Sequence, residues 1–155
     1  MSRLAGRVLA AMLTVGLVLS LGSAALAAPV GALKQFKVPT ANSQPRAITD
    51  GSDGNRWFTA RFTPQAVGRL NPSNNSVTLF PVTNTGPAGI AASPDGTVWF
   101  TQETKGNAAM ITNAGAITEA KAVKGSGPFG ITVAPNGNPW YTMMAANKIA
   151  TLQLR

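Results

Sequence analysis

The three tryptophans of this chain, Trp57, Trp99 and Trp140, lie 42 and then 41 residues apart, and each sits in the same neighbourhood. Pro45-Arg46-Ala47-Ile48-Thr49 leads through Asp53-Gly54 to Trp57-Phe58-Thr59. Pro87-Ala88-Gly89-Ile90-Ala91 leads through Asp95-Gly96 to Trp99-Phe100-Thr101. Pro128-Phe129-Gly130-Ile131-Thr132 leads through Asn136-Gly137 to Trp140-Tyr141-Thr142. A period of this size means one supersecondary unit per repeat, which cannot bury its apolar face alone and must stack on its neighbours.

Each unit reads as four short strands. The first is the Ile-centred segment, at 47–49, 89–92 and 130–134. Asp-Gly or Asn-Gly then turns the chain, with Gly supplying a positive φ. The Trp-aromatic-Thr segment forms the second strand, rich in β-formers. The third covers 66–70, 108–112 and 148–152, and the fourth covers 77–82 and 116–123. Asn71-Pro72-Ser73-Asn74-Asn75 and Asn113-Ala114-Gly115 carry turn chemistry between third and fourth strands. Residues 33–38 resemble a fourth strand placed ahead of the first unit, which brings the expected total to twelve. No sustained 3.6-residue apolar period occurs from 39 to 155, so no helix is expected there. Radially repeated four-stranded units of this length are propeller blades. The expected fold is therefore all-β, with three four-stranded antiparallel blades. Three blades fall below the usual four to eight, so the expectation is a partial propeller or half of a dimeric ring. Ile48, Trp57, Ile90, Trp99, Ile131 and Trp140 are the expected core of the repeat, since a once-per-repeat aromatic usually fills the space between sheets.

The N-terminal stretch belongs to another category. Arg3 and Arg7 precede an apolar run from 8 to 21, and Ala25-Leu26-Ala27 fits a small-x-small cleavage site. The expectation is a signal peptide over 1–27 and a repeat domain over 28–155, in a protein that is secreted or held in the periplasm or cell envelope. The absence of cysteine near the cut excludes a lipid-anchored lipoprotein. Loss of Arg3 and Arg7 lowers the formal charge from +8 to +6. The remaining basic residues are scattered, which argues against nucleic acid and fits an anionic envelope polymer or a peptide as ligand.

The chain contains no cysteine and no histidine. That removes disulfides, thiol nucleophiles, Cys/His zinc sites and every imidazole acid–base device. The acids are Asp50, Asp53, Asp95, Glu103 and Glu119, and no spacing among them marks a carboxylate pair or a metal site. No cofactor is expected on these grounds. The loops entering each first strand, 39–46, 83–88 and 124–129, form the expected recognition surface, and Arg46 is the one charge beside a first strand.

The string Gly89-Ile90, Pro94-Asp95-Gly96, Trp99-Phe100-Thr101, with Ile117-Thr118-Glu119 after it, resembles the repeat of the streptogramin B (virginiamycin B) lyases and their propeller relatives. The resemblance covers 33–155. It implies a propeller fold. For the enzymes of the family it implies seven blades and opening of a cyclic depsipeptide by elimination with a magnesium ion. It also implies a catalytic His after the repeat's Pro and a Glu after Trp-Phe-Thr. Here the first position holds Arg46, Ala88 and Phe129, and the second holds Ala60, Gln102 and Met143. Glu103 stands one residue beyond the Glu slot, where strand alternation is expected to turn it to the other face. Magnesium is thus expected only through the resemblance. The residues expected to meet a ligand are Arg46, Gln102 and Glu103. The expected function is a non-catalytic binding module, with a lyase acting on a cyclic peptide or lactone as the alternative.

Overall fold

The computed structural model describes residues 31–83 and 85–154. The expected signal peptide lies outside the described residues. From Gln35 onward the chain forms one compact unit, built from three antiparallel sheets with no helix among the described residues. The first blade contains β1 (Pro45–Asp50), β2 (Arg56–Ala60), β3 (Ala66–Leu70) and β4 (Val77–Pro81) in that order. The second contains β5 (Pro87–Ala92), β6 (Val98–Gln102), β7 (Asn107–Ile111) and β8 (Ile117–Glu119). The third contains β9 (Pro128–Val133), β10 (Pro139–Met143) and β11 (Lys148–Thr151).

Two expectations need correction. Residues 33–38 form no strand, so eleven strands are present among the described residues rather than twelve. Val38 instead packs against Phe58, Ala60, Ala66 and Leu70 of the first blade, which commits this segment to apolar contact there rather than to the edge of β11. The fourth strand of the second blade is also shorter than 116–123. It covers only Ile117–Glu119 before the chain turns away toward the third blade.

The turns follow the repeat. Asp53 Oδ1 accepts from Asn55 N at 3.1 Å, Asp95 Oδ1 from Thr97 N at 2.9 Å, and Asn136 Oδ1 from Asn138 N at 3.1 Å. These are Asx-turn bonds, and the following Gly54, Gly96 and Gly137 take φ of 76°, 91° and 84°.

A bulge after each repeat proline joins one blade to the next. Register shifts between Pro45 and Ile48, between Pro87 and Ile90, and opposite Tyr141/Met143 in the third blade. The extra residue leaves a ladder N–H unpaired. The threonine of Trp-aromatic-Thr captures it: Ala47 N donates to Thr59 Oγ1 at 3.2 Å, Gly89 N to Thr101 Oγ1 at 2.8 Å, and Gly130 N to Thr142 Oγ1 at 3.0 Å. The hydroxyl then donates onward to the bulge carbonyl of the following blade. Thr59 Oγ1 reaches Ala88 O and Thr101 Oγ1 reaches Phe129 O, both at 2.7 Å. One hydroxyl thus satisfies a buried donor in its own sheet and a buried acceptor in the next, which fixes both the bulge and the spacing between sheets.

Apolar packing repeats with the clasp. Trp57 is fully buried in one apolar cluster with Ile90, Phe100 and Ile111 of the second blade. Its indole stacks on Phe80 at 5.6 Å, and the Arg69 guanidinium covers both rings at 5.5 Å before donating to Asn113 O of the second blade at 2.6 Å. Trp99, 5% exposed, shares a second cluster with Tyr141 of the third blade, against which Ile131 and Leu152 pack. The outer residues depart from the expected core. Trp140 is 45% exposed and Ile48 is 65% exposed. Trp140 faces outward from the third blade and Ile48 from the first, and among the described residues no fourth sheet covers either.

Candidate functional site

Each loop entering a first strand is bonded to the segment that follows the second strand of the same blade. Arg61 N donates to Gln44 O and Phe62 N to Ser43 O, Glu103 N to Gly86 O and Thr104 N to Thr85 O, and Met144 N to Gly127 O and Ala145 N to Ser126 O. The two loops therefore form one rim per blade, at the end of the sheets opposite the Asp-Gly turns. The repeat places equivalent residues side by side along this rim: Arg46, Ala88 and Phe129 after the prolines, and Arg61, Glu103 and Met144 after the second strands.

Side chains from all three blades converge there. Arg46 Nη1 donates to Glu103 Oε2 at 2.8 Å. Arg61 Nη1 donates to the same oxygen. The Arg46 guanidinium also lies 4.4 Å from the centre of the Phe129 ring, a cation–π contact that spans the first and third blades. The two arginines and the glutamate are each about a quarter to a third exposed, so the cluster borders solvent. Two guanidiniums against one carboxylate leave it with a net positive charge. Planar, fixed-charge guanidiniums suit recognition of carboxylate and phosphate groups.

Of the residues expected to meet a ligand, the rim brings together Arg46 and Glu103. Glu103 turns back to the first blade, whereas Thr101, two residues earlier, reaches the third. Gln102 takes no part. It is fully buried, and its Nε2 donates to Glu119 Oε1 on the outer strand at 3.2 Å, while Lys105 Nζ donates to Glu119 Oε2. Gln102 Oε1 has no partner among the described residues. The expectation of a ligand-facing Gln102 gives way here because its position lies inside the second strand, all of which is buried.

Arg61 and Phe129 join the cluster beyond the expected residues: Arg61 holds the repeat position of Glu103 and Phe129 that of Arg46. The positions at which the resemblance implies a catalytic Glu, namely Ala60, Gln102 and Met143, are all buried. The rim donors do not suit magnesium, which takes oxygen ligands from carboxylates and water in octahedral array. The rim offers one carboxylate, already held by two guanidiniums.

Comparison with known proteins adds the family. Residues 31–155 match the model of the virginiamycin B lyase family. Among solved structures, a virginiamycin B lyase from Staphylococcus aureus is similar with TM-score 0.70 and 26% identity, over 80% of this chain and 46% of that one. A streptogramin B lyase structure gives TM-score 0.71 and 28% identity, over 81% of this chain and 45% of that one. A catalytically inactive virginiamycin B lyase from Staphylococcus aureus, solved with quinupristin, gives TM-score 0.70 and 26% identity. The chain thus spans less than half the length of these structures. No curated protein matches its sequence. With the repeat, the three-blade architecture and a family match running through all three blades, the chain belongs to the virginiamycin B lyase family.

Proposed function

We propose that the chain is a secreted or envelope-associated binding module, and that its rim cluster of Arg46, Arg61, Glu103 and Phe129 recognises an anionic ligand, either an envelope polymer or an acidic peptide. The observation that carries the reading is the pair of guanidiniums sharing one carboxylate at the edge of solvent, with one of them seated on an aromatic ring. Glu103 holds the arginines in place in the free protein. A ligand carboxylate or phosphate takes up their remaining donors, and Phe129 keeps Arg46 aimed at the rim. The formal charge of +6 that remains after loss of Arg3 and Arg7 draws such ligands toward the surface.

Calorimetric titration with an acidic hexapeptide tests the reading. Binding is expected to weaken at least fivefold in Arg46→Ala and in Arg61→Ala, and to fall as salt rises. Equal binding by both variants would refute the assignment.

Family membership supports a second reading, elimination-type opening of a cyclic peptide or lactone. Incubation of the pure protein with a streptogramin B antibiotic, with and without magnesium, separates the two. The binding-module reading expects no turnover above a buffer control.

A further inference from the structure

Charges that are scattered along the sequence are sorted by the fold. Arg46, Arg61, Lys105, Lys121, Lys124 and Lys148 lie at the rim end of the sheets, with only Glu103 and Glu119 among them. The three aspartates, Asp50, Asp53 and Asp95, all lie at the opposite end, with Arg56 and Arg69. The rim end therefore carries six cations against two carboxylates, and the turn end two cations against three carboxylates. Both rim carboxylates are already engaged, Glu103 by Arg46 and Arg61 and Glu119 by Lys105. Lys121, Lys124 and Lys148 have no acidic partner among the described residues.

Large apolar side chains project from the same end. Phe62, 47% exposed, stands where the chain leaves β2, and it borders a surface groove with Pro64, Pro81 and Thr83 on the passage from the first blade to the second. Val123, 51% exposed, stands on the passage from the second blade to the third. Both tips sit on loops at junctions inside the chain, and not on a sheet face that a neighbouring blade covers. A cation accompanies each. The Arg61 guanidinium lies 5.8 Å from the centre of the Phe62 ring, and Lys121 and Lys124 flank Val123 in a run, 121–125, that is exposed throughout. That run is braced from below. Val123 N donates to Gly106 O at 2.8 Å, Ser126 Oγ donates to the same oxygen at 3.3 Å, and a Cβ at Gly106 would strike Val123 O. The turns at the opposite end expose no large apolar side chain among the described residues.

We propose that the rim end docks peripherally on an anionic phospholipid surface, with Phe62 and Val123 entering the headgroup layer and Lys121, Lys124 and Lys148 on lipid phosphates. Apolar tips with cations beside them meet both requirements of interfacial binding, apolar area buried at the acyl boundary and attraction to anionic headgroups. A soluble polyanion answers the lysines but offers nothing to Phe62 and Val123. A fluid bilayer also supplies a headgroup to each lysine separately, which suits cations spread over separate loops and not gathered in one pocket. The aspartates at the far end orient the approach, because an anionic surface repels them. The inference goes beyond the arginine cluster and its ligand: Phe62, Val123 and the three lysines all lie outside that cluster.

Co-sedimentation with vesicles reads the outcome, using phosphatidylcholine alone and phosphatidylcholine mixed equally with phosphatidylglycerol. The chain from Ala28 is the form to use, since it keeps the compact unit from Gln35 onward and lacks the apolar run of 8–21. Binding is expected to the mixed vesicles, at least tenfold tighter than to phosphatidylcholine, and to weaken as salt rises. Each lysine near an anionic surface contributes about a fivefold factor, so Lys121→Gln with Lys124→Gln should weaken binding at least tenfold. Arg56→Gln removes a cation from the opposite end and should change binding less than about twofold. Phe62→Ser and Val123→Ser keep the charge and should each weaken binding about fivefold. Equal binding to both vesicles, no binding to either, or an Arg56→Gln effect as large as that of Lys121→Gln would overturn the proposal. So would indifference to both apolar substitutions, or equally tight binding of a soluble polyphosphate, since charge alone would then suffice. If Phe62→Ser fails to fold, Val123→Ser decides, because its side chain lies in a wholly exposed run. Val123→Ser should still bind the acidic hexapeptide, so failure here and failure of the arginine-cluster reading are told apart.

Discussion

Replacing Thr101 by valine tests the blade-to-blade clasp directly. Valine keeps the branched shape and nearly the volume of threonine, so the sheet should not rearrange. Only the hydroxyl is lost. Thr101 is fully buried, and its Oγ1 accepts from Gly89 N at 2.8 Å and donates to Phe129 O at 2.7 Å. Thr101→Val leaves one backbone donor and one backbone acceptor without partners at the junction of two sheets. Each such group costs about 1–3 kcal/mol, so the expected loss is about 2–6 kcal/mol. Thr101→Ser keeps both bonds and removes one methyl, a loss of about 1 kcal/mol. Denaturant unfolding followed by tryptophan fluorescence resolves the two, and at roughly 3–5 °C per kcal/mol for a domain of this size a thermal melt does so as well. The reasoning fails if Thr101→Val unfolds within about 0.5 kcal/mol of the parent protein, or if serine proves as damaging as valine.

Three further outcomes follow from the same contacts. Gly89→Ala drives a Cβ toward Phe129 O and should cost about 1–3 kcal/mol, while Gly130→Ala, with only Thr142 Oγ1 within 4 Å, should be close to neutral; paired melts check both. Trp57→Ala removes a fully buried indole that shares an apolar cluster with the second blade and stacks on Phe80, and should cost about 3–5 kcal/mol in denaturant unfolding. The hydrogen bond from Lys105 holds the Glu119 carboxyl below its ordinary range, opposed by partial burial and assisted by Gln102. Because the folded-state value lies below the unfolded one, this contribution is complete above the unfolded pKa and is lost as pH falls through the folded one. Glu119→Gln should therefore flatten the decline in stability on the acid side of the unfolded carboxylate pKa, and an unchanged acid slope by pH-dependent melting would contradict this.

The blades were legible in the sequence because turn chemistry and strand propensity repeat together. Asp53, Asp95 and Asn136 each precede a glycine and a Trp-aromatic-Thr segment, and the turns and second strands lie where that pattern puts them. Burial was less legible, because a repeat has identical sequence at positions with different neighbours. Trp57 and Trp140 read alike, yet one has a sheet across from it and the other does not. The segment 33–38 shows a limit of another kind. Alternation is compatible with a strand, but Val38 finds apolar contact on the first blade, and pattern alone cannot choose between ladder and groove. At the rim, Arg46 stood out as the charge beside a first strand, and Glu103 as the acid one residue beyond the slot where the resemblance implies a catalytic Glu. Arg61 and Phe129 emerged only once the loops were bonded together, since their contacts cross blades that are 42 and 83 positions apart in the chain.

The claim that the rim is the recognition surface is tested most directly by nuclear magnetic resonance of isotope-labelled protein titrated with the acidic hexapeptide. The largest amide and guanidinium shift changes are expected at Arg46, Arg61, Glu103 and Phe129, with little change at the scattered lysines Lys121, Lys124 and Lys148. Changes centred on those lysines, or none at any residue at millimolar peptide (about the weakest binding such a titration detects), would contradict it.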